Sequence, residues 1–147
     1  MNDAPRPRRG NGARQLARKI ALQTVYSWQV NPREWQQLVA EFELNEEAPR
    51  ADRDFYVELV RGVCEQSAEL DVQLATWTDR PAAELDPVEH AALLLGLVEL
   101  RAHLDVPFRV VISEAVSLAK RFGATDGHKF VNAVMDKAAR ELRPHEH

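Results

Sequence analysis

An all-α fold of about seven helices is what this 147-residue sequence predicts, and three observations predict it. From Ala13 onward apolar residues recur at helical spacing, and no alternating strand pattern competes. Proline, glycine and Asx residues fall between the periodic stretches, where helices stop and start. One stretch, Ala91-Ala92-Leu93-Leu94-Leu95-Gly96-Leu97-Val98, is apolar almost all round, which suits a helix at the centre of a bundle.

The elements follow in order. Residues 1–12 read as a disordered basic arm, because Pro5, Pro7, Gly10 and Gly12 break structure and nothing apolar anchors them. Leu16, Ile20, Val25 and Trp28 give a first long helix ending near Val30. Asn31-Pro32 stops it and starts a short second helix carrying Trp35, Leu38, Val39 and Phe42. After an acidic loop, Glu43 to Arg50, a third helix carries Phe55, Leu59, Val60 and Val63. A weaker fourth runs around Leu70, Leu74 and Trp77 and is closed by Arg80-Pro81. The best-marked start is Asp86-Pro87-Val88-Glu89: Asp caps, Pro fills the first turn, and Glu at the third position reaches back to the cap. Val106-Pro107 separates this central helix from a sixth, with Val111, Ala115, Leu118, Ala119 and Phe122 on one face and Gly123 as a left-handed C-terminal cap. A seventh opens near Asp126, buries Val131, Val134, Met135, Ala138 and Leu142, and ends before Pro144. Residues 13–144 thus form a single all-helical domain with a short tail, 145–147.

Composition narrows the function. No run approaches the ~20 apolar residues of a membrane span, and the polar, basic start carries no secretory signal. A lone Cys64 can make neither an internal disulfide nor a zinc site, so a reduced, cytoplasmic setting is expected. Net charge is −4, yet it is unevenly spread. Residues 1–21 hold six basic residues against one acid, residues 34–89 hold fifteen acids against four bases, and residues 101–147 hold eight bases against six acids. Such a chain can offer one surface to phosphate and another to a basic protein.

Catalytic patterns are missing: no glycine-rich phosphate loop, no His-Glu-x-x-His, no nucleophile elbow. The five histidines lack metal-ligand spacing apart from His145 and His147, which sit close together on the tail. No enzyme and no cofactor is expected. Binding has more support. Arg14, Arg18 and Lys19 are spaced to cluster along one edge of the first helix, and the arm adds Arg6, Arg8 and Arg9. Around Asp126 a helix N-terminus stands beside Lys120, His128 and Lys129, with Phe130 placed to stack on an unpaired base. The plainer alternative is that Asp126 only caps and Phe130 only fills the core.

Three blocks then match a known family in order and spacing: Tyr26-Ser27-Trp28-Gln29; Asp105-Val-Pro-Phe-Arg-Val-Val-Ile-Ser-Glu-Ala-Val-Ser-Leu-Ala-Lys-Arg-Phe-Gly123; and His128-Lys-Phe-Val-Asn-Ala-Val-Met-Asp-Lys137, followed by Arg143-Pro144. Over residues 13–144 the chain resembles the NusB family of transcription antitermination factors. The resemblance implies two small helical subdomains and binding, with the ribosomal protein NusE, to the single-stranded boxA element of nascent rRNA leader transcripts. RNA polymerase then reads through terminators alongside NusA and NusG. It also implies RNA contacts at Arg14, Arg18, Asp126, Lys129 and Phe130, a further stacking aromatic at Trp77, and NusE contacts at Tyr26 and Glu89. Two family arginines are replaced here by Gln15 and Leu16, for which Arg8 and Arg9 are candidates to compensate. Some family members self-associate, so a homodimer of the free protein is one expectation. Similar helical domains also occur fused to RNA methyltransferases, but the residues end just after the seventh helix, and no cofactor-binding domain is expected.

Overall fold

The computed structural model describes residues 11–146, so most of the expected arm and His147 lie outside it. The described residues form six α-helices and three short 3₁₀ turns, with no strand among them. They are α1 Asn11–Val30, α2 Trp35–Phe42, α3 Arg53–Leu74, α4 Pro87–Ala102, α5 Phe108–Phe122 and α6 Gly127–Leu142. Helix α1 therefore starts two residues before the expected boundary at Ala13, with Gly12 inside its first turn. That turn has no intrahelical N–H partners to lose, and nothing crowds Gly12.

The expected third and fourth helices are one continuous α3 of 22 residues. No proline or glycine interrupts Cys64 to Leu74, and the buried stripe Phe55, Leu59, Val63, Leu70, Leu74 stays on one face throughout. Asp52 caps it, accepting from the Phe55 N–H at 3.1 Å. Helix α2 starts at Trp35, three residues after Pro32, because Glu34 keeps an extended backbone.

Helix α4 is the axle. Its residues 91–98 are all buried, and it packs against α1 and α3 on one side and α5 and α6 on the other. Helices α1–α3 and α5–α6 thus share α4, whose apolar run places it centrally, as the sequence predicts. Gly62 permits the α3–α4 approach, since a Cβ there would stand 2.7 Å from Val98 Cγ1. The Asp86 cap forms as expected, its Oδ1 accepting from Val88 and Glu89 N–H at 2.9 and 3.2 Å. Gly123 is not a left-handed cap. Its φ of −94° and ψ of −176° are extended, and among the described residues the one left-handed non-glycine residue is Asp126, at φ 66°. Among the described residues no helix is long and apolar enough to cross a membrane.

Candidate nucleic-acid interface

The basic edge of α1 exists, but its charges are already matched. Arg14 lays its guanidinium 4.4 Å from the Phe55 ring centroid, 3.3 Å from Asp105 and 3.6 Å from Asp52. Lys19 turns the other way, to Glu47 at 3.1 Å. Arg18 is 5% exposed. It grips Glu99 of α4 with Nε and Nη2 at 2.9 and 2.5 Å, and Glu114 of α5 lies 3.7 Å from Nη1. The sequence expectation of a phosphate contact at Arg18 is therefore corrected: its donors are spent on carboxylates inside the fold. Gln15 points to Glu114 as well, at 3.0 Å, so this edge of α1 is a seam against α4 and α5.

A second correction concerns Trp77. Its polar neighbours suggest an exposed ring, yet it is 6% exposed and packed in the core. Its Nε1–H donates to Glu141 of α6. A buried indole with its N–H satisfied is a structural residue and offers no stacking face.

The start of α6 is more open. Lys129 projects into solvent and pairs with Asp126 at 3.3 Å. Asp126 does not cap with its side chain; its left-handed backbone turns the chain into the helix instead. Phe130 is half-buried against the core, and Arg80, from the turn before α4, rests 4.5 Å over its ring. Lys120 and Arg121 end α5 on the other side of the short α5–α6 loop. Arg80, Lys120 and Arg121 stand in no ion pair among the described residues, in contrast to Arg14, Arg18 and Lys19. Cations outside any salt bridge are thus found at the α5–α6 end, where Arg80 still feels the Glu89 carboxylate, whereas Arg14, Arg18 and Lys19 of α1 are all paired. Sequence reasoning missed Arg80, which lies in a turn without periodicity and meets Phe130 only through the tertiary fold.

Of the two positions expected to face a protein partner, Tyr26 is 43% exposed, and Val30, one turn later, is exposed beside it. Glu89 is corrected: it is 4% exposed and lies against the start of α6, where a Cβ on residue 127 would stand 2.0 Å from its Oε2. A side chain at 127 would therefore have to displace the Glu89 carboxylate. The side chain does not serve an exposed partner surface. Burial raises the Glu89 carboxyl above its usual range, Asp86 adds to the rise and Arg80 opposes it. A raised pKa means the stability this group leaves is full below the ordinary carboxylate range and is lost as pH climbs through the raised value. Glu89→Gln should therefore raise Tm near pH 7 and give no gain under acidic conditions. An equal gain at both pH values in thermal melts would exclude ionisation as the cause.

Among the described residues no group of three or more His, Cys, Asp or Glu side chains could hold a metal. Cys64 is half-buried, and burial, then Glu65 and Glu34, push its thiol up to about 11.

Residues 15–140 match the NusB family. The transcription antitermination protein NusB of Idiomarina loihiensis is 46% identical, covering 90% of this chain and 95% of its own. That of Hahella chejuensis is 47% identical, covering 88% and 87%. The crystal structure of Thermotoga maritima NusB superposes with a TM-score of 0.78 at 25% identity, covering 90% of this chain and 94% of that one. A chain in a crystal structure of the antitermination factors NusB and NusE in complex with dsRNA superposes at 0.71 with 25% identity, covering 90% and 99%.

Proposed function

The chain belongs to the NusB family, and from that premise we propose that it is a cytoplasmic RNA-binding transcription antitermination factor, not an enzyme. With NusE it binds boxA of nascent rRNA leader transcripts, and the assembly, with NusA and NusG, keeps RNA polymerase reading through terminators. The carrying observation is the family match across residues 15–140, which spans nearly the whole folded domain. The geometry supports an RNA face at the α5–α6 end, where Lys129, Lys120 and Arg121 supply charge to a helix N-terminus and Phe130 supplies an aromatic ring. Tyr26 and Val30 supply the apolar contact for NusE, with the acidic middle of the chain steering a basic ribosomal protein.

Fluorescence anisotropy with boxA-type RNA and a scrambled control tests this, with this protein alone and with NusE, at two salt concentrations. Tight, sequence-selective binding only when both proteins are present is the expected result. Equal, salt-sensitive binding to both RNAs, unaffected by NusE, would reduce the function to generic electrostatics. Gel filtration of the free protein distinguishes monomer from homodimer.

Arg14 remains an RNA contact only in competition with its internal partners. Burial pushes the Asp105 carboxyl up, but its own backbone hydrogen bond and the Arg14 guanidinium outweigh that and hold it below its usual range. Phosphate must share Arg14 with this anion. Asp105→Asn is therefore expected to tighten RNA binding roughly two- to fivefold at low salt, with the gain shrinking as salt rises. Unchanged affinity at low salt would remove Arg14 from the RNA face.

A further inference from the structure

The Arg80–Phe130 stack has a consequence for how this face would hold a base. Phe130 is half-buried, with its inner side against the core, and Arg80 covers it at 4.5 Å. The surface at this point is therefore a guanidinium plane backed by an aromatic ring. Arg80 makes no ion pair among the described residues. The following Pro81, at φ −62° and ψ 147°, bars Arg80 from helical backbone and narrows its range. The Arg80 backbone N–H is held by Thr78 Oγ1 at 3.2 Å. A planar cation that is held by stacking and carries unspent donors is suited to both parts of a nucleotide: the base stacks on the plane, and the N–H groups reach the phosphate.

We propose that Arg80 is the base-stacking residue of this face and that Phe130 acts through it, as the platform that orients the guanidinium. This rests on the reading of the chain as an RNA-binding factor. Arg80→Ala, Arg80→Lys, Phe130→Leu and the Arg80→Ala/Phe130→Leu double variant would be titrated with boxA-type RNA in the presence of NusE, after melts confirm folding. Arg80→Ala should weaken binding about tenfold, as loss of one stacked base does, and lower the salt slope by about one. Arg80→Lys should restore the salt slope but little of the affinity, because an ammonium carries the charge without the plane. The double variant should be no weaker than Arg80→Ala alone. Wild-type affinity in Arg80→Ala, full rescue by lysine, or additive losses in the double variant would each overturn the proposal while leaving RNA binding by the chain intact. If Phe130→Leu does not fold, the two Arg80 variants still decide. Absence of RNA binding by the wild-type protein with NusE would remove both readings together.

Discussion

Replacing Arg18 by alanine is expected to lower the unfolding free energy by about 3–5 kcal/mol, the range for breaking a buried ion pair from one side. The effect is large because of what remains behind. Glu99 is 2% exposed and receives both of its strong hydrogen bonds from Arg18. Without them its carboxylate must stay charged in an apolar setting or take up a proton. Glu114 would lose a neighbouring cation at the same time, and the Phe55 ring a guanidinium 5.0 Å away. The same substitution read from sequence alone would weaken RNA binding and flatten its salt dependence. The structure separates these outcomes. Urea melts should show the loss of stability, while the folded fraction should bind RNA with an unchanged salt slope. Near wild-type stability together with a shallower slope would return Arg18 to the RNA face. Arg18→Met/Glu99→Met should recover most of the loss, since a buried pair exchanged for well-packed apolar residues is often neutral.

Arg18 also illustrates what a sequence can and cannot disclose. The i, i+4 spacing of Arg14 and Arg18 correctly places both on one edge of α1, and both do lie over Phe55. That this edge is a seam depends on Glu99, Asp105 and Glu114, which are supplied by residues more than eighty positions away. Local spacing carries no information on that. Helix α4 was readable because its apolar run permits only a central position, and Asp86 because a cap is a local hydrogen-bond pattern. Glu89 sits at the correct capping-box spacing, yet the approach of α6 at Gly127 provides a buried place for it instead. Trp77, a stacking aromatic by resemblance, is buried for a tertiary reason. The chain leaves α3 just before it, and the turn swings the indole inward to Glu141 while its neighbours stay outside. Lys129 was readable because the buried positions Val131, Val134, Met135 and Ala138 fix which way α6 faces. The 3₁₀ turn Pro144–Glu146 replaces the start of the expected tail, and Glu146 caps α5 by accepting from the Phe108 N–H at 3.0 Å.

Arg143, which the sequence marks only as part of a matching block, carries the second large expectation. It follows α6 directly and is 5% exposed. Its guanidinium donates to the carbonyls of Leu100, Val106 and His103 at 2.8, 2.9 and 3.0 Å, and at 3.4 Å to that of Glu99. Nη1 also meets Glu146. The carbonyls of Glu99 and His103 also accept the backbone N–H groups of His103 and Val106, so those of Leu100 and Val106 are the ones that depend on Arg143, at the end of α4 that carries the negative pole of its dipole. A buried cation with fixed, forked donors answers both needs and joins α4, the α4–α5 loop and α6 at one point. Arg143→Met keeps much of the apolar volume and removes every donor. The Leu100 and Val106 carbonyls are then left unpaired, at about 1–3 kcal/mol each, partly relieved by entering water, so a net loss of about 3 kcal/mol is expected in thermal or urea melts. Hydrogen exchange should quicken first in residues 100–108, and before α1 or α3 respond. Arg143→Lys should recover only part of the loss, because one ammonium cannot span carbonyls from both the helix end and the loop. Wild-type stability and unchanged exchange in Arg143→Met would mean that water satisfies these carbonyls, and that the arginine joins nothing.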